Sequence, residues 1–451
     1  MNLTLLVIIL CLSFALYLWV GNKTSQSLKD GDDYFLGGRG IKTFPLLMTF
    51  LATQVGGGAL IGTADIAYTQ GAEVLYYPIG VALGLMVLGM GVGKRYRAMG
   101  ISTTAEIFKT HYGSSAQRYL AAAISIVSLF LILAAQVIAL RKLFVVMGFD
   151  SLTLFIVFWC ALVIYTVMGG FQAVVYTDMI QASFILLILG IAFFANSGTI
   201  PHALEGARQA SSTSQSIPWV EWMLMPFCFI LIEQDMAQRC FSAKNTRSIG
   251  IATWGTALLL VLSSSVSIYF ACHARFDALP LAQNTSLLIT SVIHYTTPIL
   301  ATFFIAAIFM AVLSTCDSLL CSISSNIYGD FIPQSIKKST KALPIAKITT
   351  GVVGVACLLI SFLFTEVITP LLLAYEMAVS LLFVPLLAAV FNRIISAFHI
   401  WWVIGISFVG YCLGKIGISK GFISFEAPLM ALGCSFITWM IFYALKGKRE
   451  N

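Results

Sequence analysis

Residues 46–63 read Leu46-Leu47-Met48-Thr49-Phe50-Leu51-Ala52-Thr53-Gln54-Val55-Gly56-Gly57-Gly58-Ala59-Leu60-Ile61-Gly62-Thr63. The stretch is apolar and of membrane length, with three consecutive glycines in its middle. Glycine costs about 1 kcal/mol per position in a helix interior relative to alanine, so Gly56-Gly57-Gly58 invites a helix to open. An opened turn frees backbone carbonyls that lipid cannot satisfy, and such a break persists only where it lines a cavity or is buried in protein. Ala52–Gly58 is therefore read as the floor of a cation or solute site. The competing reading is close helix packing, since small residues also let membrane helices approach. Partners elsewhere in the chain have to decide between the two.

Of the 451 residues, 59% are hydrophobic and 10% charged, against about 25% charged in a soluble domain. The apolar runs are continuous and near the roughly 20 residues that a spanning helix needs; barrel strands would alternate in polarity. The composition defines an all-α polytopic membrane protein. Thirteen transmembrane helices are expected, over 2–20, 43–66, 73–95, 117–148, 151–170, 174–195, 218–239, 250–273, 296–325, 344–364, 368–391, 398–416 and 426–446. Residues 2–20 carry no basic stretch before the apolar run, which argues for a retained helix rather than a cleaved leader.

The net charge of +7 comes from Lys and Arg between the apolar runs and does not point to nucleic acid. Most of them, including Lys94, Arg95, Arg97, Lys337, Lys338 and Lys341, fall in alternate loops. By the positive-inside rule this places the N-terminus outside and the C-terminus in the cytoplasm, in a plasma membrane or a bacterial inner membrane. The ten cysteines lie almost all in apolar runs without metal-ligand spacing, so neither zinc nor a disulfide framework is expected. No hydrophilic block is long enough for a soluble domain, and 1–451 is read as one membrane domain.

Two segments are visibly interrupted: 43–66 at its glycines, and 218–239 at Pro226 and Glu233-Gln234-Asp235. They are five segments apart and run in opposite directions, the pattern of an inverted-repeat transporter. The repeats would be 43–195 and 218–391, with 2–20 and 398–446 peripheral. In the ninth segment Ala311, Ser314 and Thr315 stand at i, i+3 and i+4 and share one helix face. Their oxygens, with the carbonyls of Ala52 and Val55, would make a neutral cage of three carbonyls and two hydroxyls. Calcium usually recruits several carboxylates, so such a cage suits a monovalent cation. The alternative is that Ser314 and Thr315 bond back to their own helix. Asp317, Ser318 and Asp178 follow as intramembrane polar groups, and an ionisable residue there is a functional candidate by default.

Gly169-Gly170-Phe171-Gln172-Ala173-Val174-Val175-Tyr176-Thr177-Asp178-Met179-Ile180-Gln181 resembles the GG-x-x-AV-x-x-TD-x-x-Q signature of the sodium:solute symporter family, and Gln238-Arg239 with Ser242-Ala243-Lys244 resembles its QR-x-x-SAK segment. The resemblance covers about 30–395. It implies a LeuT-like fold of two inverted five-helix repeats plus peripheral helices, and Na+ bound at Ala52, Val55, Ala311, Ser314 and Thr315. For a second sodium it implies Ser314, Asp317, Ser318 and Asp178. Within the family, Val55-Gly56-Gly57-Gly58 and Ser314-Thr315-Cys316-Asp317-Ser318 look most like the choline-transporter branch. That branch has tryptophans where this chain has Gln54 and, in the second interrupted segment, Gln234. Aromatic faces bind quaternary ammonium, so the exchange argues for a solute with hydrogen-bonding groups instead.

The function so implied is sodium-coupled secondary active uptake of a small polar organic solute by alternating access, and not an enzyme. Solute-binding candidates are Gln54, Gly57, Tyr76, Gln136, Trp222, Phe227, Gln234 and Tyr375, with Gln54 and Gln234 foremost. Glu233 and Asp235 are read as pairing with Arg239 near the cytoplasm, or as partners of an ammonium-bearing solute. Two alternatives stay open: a transporter-like membrane sensor, and a proton-coupled symporter of the same fold. A membrane enzyme would need clustered His, Cys or acid pairs, and His111, His202, His273, His294 and His399 are scattered. The expected partners are the solute and the bilayer, with no nucleic acid.

Overall fold

The computed structural model describes residues 1–149, 151–213, 217–279, 286–363, 368–393, 395–420 and 426–450. The helices that position the site are α1 (Leu3–Ser25), α2 (Thr43–Gln54), α3 (Tyr76–Val87), α4 (Ser115–Val146), α5 (Leu152–Ala195), α6 (Trp219–Ile230), α7 (Gln234–Ser242), α8 (Thr246–Phe276), α9 (Pro298–Asn326) and α10 (Ile368–Val390). Their starts carry local signals. Ser114, Ser151, Asn245 and Thr297 each accept a bond from a first-turn N–H, the usual N-cap role of short polar side chains. Pro298 follows at a position where its missing N–H costs nothing.

Among the described residues, ten helices are long and apolar enough to cross a membrane, three fewer than the sequence count. Two differences are mergers: Gly58–Met99 and Leu152–Ala195 are each continuous helical runs, of 42 and 44 residues. A straight helix of the latter length would run about 66 Å, twice the hydrocarbon thickness of about 30 Å. It parts at Gly170, whose φ of 57° and ψ of −155° are not helical; the backbone and ring of Tyr34 pack where a Cβ would sit. The third difference is 218–239, which is two short helices, α6 and α7, neither long enough to span alone.

Burial grades from the centre outward. In α9, 83% of the apolar window is buried, against 17% in α1. The central helix packs on α4, α5 and α2; α1 lies against α5 at the lipid face. Both interrupted segments open as expected. The first leaves α2 at Gln54, bends through Val55-Gly56 and resumes as a π-turn from Gly58 to Gly62. The second opens over Leu231–Glu233. A backbone clasp joins them: Ile41 N–H donates to Ser242 O at 3.1 Å, and Lys244 N–H to Ile41 O at 2.8 Å. This ties the approach to α2 to the end of α7 and brings both breaks to the same central helix.

Candidate functional site

The break after α2 abuts the hydroxyl face of α9. Ser314 Oγ donates to Ala52 O at 2.8 Å and lies 2.9 Å from Ala311 O. Thr315 Oγ1 lies 3.0 Å from Thr53 O, 3.1 Å from Ala311 O and 3.5 Å from Ala52 O. All of these residues are buried. The two hydroxyls therefore do more than bond back to their own helix, because each also reaches a carbonyl freed near the end of α2. A Cβ on Gly56 would run into Thr315 Oγ1, so the absent side chain is what allows the approach. Val55 stands at the break with φ −86° and ψ 61°, its N–H still bonded to Leu51 O at 2.8 Å. The carbonyl found against Thr315 is that of Thr53, a residue the spacing argument passed over. Gly57 N–H donates to Gln136 Oε1 at 2.8 Å, so the α4 amide caps the reopened helix. Gln136, a solute candidate from the sequence, lines the cavity with its oxygen held by the break.

Beside this cluster lies a small cavity of about 30 Å³, lined among others by Gln54, Tyr77, Gln136, Glu233, Asp235 and Tyr375. Gln54 Nε2 donates to Glu233 Oε1 at 3.3 Å. The hydroxyls of Tyr77 and Tyr375 are 3.1 Å apart and their rings are stacked. Gly58 also lines the cavity, while Gly57 packs against Ala139.

Four solute candidates lie elsewhere. Gln234 is fully buried, but its Oε1 accepts from Thr104 N–H at 2.8 Å and its Nε2 donates to Ser102 O at 3.0 Å. It clasps the 101–105 loop and does not line the cavity; the residues that do are its neighbours Glu233 and Asp235. Tyr76 packs on Trp219, with ring centroids 6.4 Å apart, because adjacent helical residues point about 100° apart and Tyr77 takes the inward direction. Phe227 is two positions from Phe229, whose ring meets Tyr375 at 4.6 Å, so it points to the far side of α6. Trp222 shares the face of Phe229 but lies seven residues back, about 10 Å along the axis. Replacing Gln234 by Ala is expected to cost about 1–3 kcal/mol of stability through the unmet loop groups. Solute affinity should be unchanged, as a thermal melt compared with a binding titration would report.

The second group of polar residues centres on Arg239, which is fully buried. Its Nε donates to Thr49 O at 3.2 Å, Nη1 to Asp235 O at 2.9 Å, and Nη2 to Ser318 Oγ at 2.6 Å and to Thr53 Oγ1. Asp178 Oδ2 lies 3.6 Å from Nη2 and accepts from Thr49 Oγ1 at 2.5 Å. The expected pairing of Arg239 with Glu233 or Asp235 side chains is thus corrected: its ionic partner is Asp178, and Asp235 offers its backbone. Asp178 and Ser318 come together, 3.5 Å apart, with the guanidinium on both. Asp317, about 100° further round α9, turns to α5, where Tyr165 OH donates to its Oδ2 at 2.5 Å. Oδ1 of Asp178 and Oδ1 of Asp317 are buried without a hydrogen-bond partner. The partners Thr49 and Thr53 were readable in principle, since they stand at i, i+4 on one face of α2.

Two broken helices thus meet a buried central helix, with a small polar cavity where they meet. The sodium:solute symporter family profile matches residues 34–397, and the chain belongs to that family. It is 26% identical over 340 residues to a high-affinity choline transporter of Drosophila melanogaster, covering 69% of this chain and 54% of that protein. It is also 26% identical over 360 residues to the sodium/proline symporter of Salmonella typhimurium, covering 72% and 71%. The chain therefore spans little more than half the length of the choline transporter. The structure of a Na+-coupled sialic acid symporter in a substrate-bound outward-open state superimposes with a TM-score of 0.79 at 21% identity, covering 98% of both chains. A nucleobase-cation-symport-1 family transporter in a closed conformation superimposes at 0.56 and 16% identity over 91% of this chain. The chain thus shares its fold with these two structures.

Proposed function

We propose that this protein is a sodium-coupled symporter that takes up a small polar solute by alternating access. The observation that carries the reading is the meeting of Ser314 and Thr315 with the carbonyls at the end of α2. One sodium ion is assigned to Ala52, Val55, Ala311, Ser314 and Thr315, with Thr53 O adjacent. The hydroxyls now donate to carbonyls; on binding they turn their protons away and offer lone pairs instead. Because those carbonyls belong to the broken helix, the ion orders the same backbone that borders the cavity. Coupling follows, since an ion and a solute that favour one arrangement raise each other's affinity equally. Each charge moved inward gains about 2.3 kcal/mol per 100 mV of membrane potential.

The repeats are assigned to 43–195 and 218–391, with the N-terminus outside and the C-terminus cytoplasmic. A second reading, coupling to protons, is favoured by the unpartnered Oδ1 atoms of Asp178 and Asp317, which offer acceptors for a proton or a second cation. Binding of ²²Na⁺ to the purified chain is the test. It is expected to saturate and to be displaced by unlabelled sodium but not by potassium. Absence of saturable sodium binding, with a pH-dependent response in its place, overturns the first reading in favour of the second.

A further inference from the structure

Resting on the symport reading, we infer that the solute is a small protonated amine, held through its N–H donors by Glu233 and Asp235. Both residues line the cavity and are buried, Glu233 7% and Asp235 1% exposed. Among the described residues, no Lys, Arg or His nitrogen lies within 4.0 Å of either carboxylate. The nearest guanidinium, Arg239, spends its donors on Thr49, Thr53, Ser318 and the Asp235 backbone and pairs with Asp178. The two carboxyls share a hydrogen bond with each other; Glu233 also accepts from Gln54 at 3.3 Å, and Asp235 Oδ1 has no hydrogen-bond partner.

Charge counting leads to the same place. Asp178, Asp317, Glu233 and Asp235 are buried carboxyls grouped around one guanidinium. Glu233 and Asp235, bonded carboxyl to carboxyl, hold one proton and one negative charge between them, and a buried charge without compensation costs several kcal/mol. A solute that brings a cation into the cavity supplies what is missing. An anionic solute would meet this acidic pair and, among the described residues that line the cavity, no basic side chain.

The kind of cation follows from the walls. Quaternary ammonium is held by aromatic faces, but Tyr77 and Tyr375 are stacked on each other at 6.4 Å and 15° and do not form an open cage. What faces the cavity instead is acceptors: the acidic pair and the Gln54 amide. Acceptors left unmet by a ligand without N–H groups are costly. A primary or secondary amine meets them, with the tyrosine hydroxyls available to a polar tail.

The probes are 2-aminoethanol, 4-aminobutan-1-ol and 1,4-diaminobutane, with their N-trimethylated counterparts and butane-1,4-diol as the uncharged control. Each is added to the purified full chain in sodium, and binding is read by thermal shift and calorimetric titration. The amines are expected to stabilise the protein, and the trimethylated and uncharged compounds to do so at least tenfold more weakly. Glu233→Gln is expected to weaken amine binding at least tenfold while leaving ²²Na⁺ binding intact, and Asp235→Asn to act in the same direction if the first variant folds poorly. Equal binding of amine, trimethylated and uncharged compounds overturns the inference. So does wild-type sodium binding with no response to any amine, or full amine affinity in a folded Glu233→Gln protein. Loss of wild-type sodium binding with amine binding retained sinks the coupling reading and leaves the solute assignment standing.

Discussion

The double variant Ser314→Ala, Thr315→Val is expected to lose saturable sodium binding altogether. Both side chains are buried on the face of α9 that meets the end of α2, and each hydroxyl reaches a carbonyl there, Ala52 O at 2.8 Å and Thr53 O at 3.0 Å. The proposed cage has three carbonyls and two hydroxyls, so the double change removes both side-chain ligands and leaves two methyl-bearing walls. A polar interaction with a charged group is worth about 1.5–3 kcal/mol, which is roughly 10- to 100-fold in affinity for each hydroxyl. Either single variant should bind weakly, and the pair beyond measurement. Thr315→Ser restores the oxygen without the methyl and should recover most of the affinity. Folding is controlled by a melt in sodium-free buffer, where the variants lose only bonds between neutral groups. Sodium affinity unchanged in the double variant would place the ion elsewhere and remove the link between the broken helix and the coupling ion.

The features that decide this prediction differ in how legible they were. The break at Val55-Gly56 follows from three glycines in a membrane-length run, and Ser314 and Thr315 share a face by their spacing. These are local properties of the chain, carried by backbone entropy and helical period. Which carbonyl meets which hydroxyl depends instead on the axial offset of two helices, and the chain shows nothing of that offset. Hence Thr53 was passed over although its residue number lay between two named ligands. The same limit explains Gln234 and Glu233. On a nine-residue helix such as α7 (Gln234–Ser242) every residue is buried, so no polar face marks the side that meets the cavity, and nothing local separates Gln234 from the flanking Glu233 and Asp235 that line it. The segment count differs for another reason. A hydropathy reading scores apolar runs, whereas the structure joins two pairs of them into longer helical runs and divides 218–239 into α6 and α7, whose residues Gln234 to Ser242 are buried in protein. Tyr76 and Tyr77 differ by a rotation of about 100°, which a single aromatic pair in sequence cannot resolve. From the sequence Arg239 is read as a partner of Glu233 or Asp235, its neighbours in the chain; the structure pairs it with Asp178 and surrounds it with hydroxyls and carbonyls.

That pairing yields the other large effect. Arg239→Gln is expected to be among the most destabilising single changes in the chain. It strips the guanidinium from Asp178, frees the Thr49 and Asp235 carbonyls and leaves Ser318 and Thr53 to rebond, all in a region closed to water. Removing one partner of a buried ion pair costs about 3–5 kcal/mol, because the remaining charge keeps its desolvation penalty without compensation. The decisive measurement is the double variant. Asp178→Asn removes the stranded charge, so Arg239→Gln with Asp178→Asn should melt at a higher temperature than Arg239→Gln alone. Thr49 can still donate to the new amide oxygen, which keeps the replacement close to isosteric. Arg239→Lys tests a different property. An ammonium keeps the charge but is a compact point charge without the planar fork, so it cannot reach Thr49, Ser318 and the Asp235 carbonyl together. It should recover part of the stability while loosening α7 from α2. If Arg239→Gln melts like the unmodified protein, or if Asp178→Asn adds to its damage instead of relieving it, then Asp178 is balanced by something other than this arginine. A cation bound at its free Oδ1 would be the first candidate, and the charge count at the centre of the molecule would have to be redrawn around it.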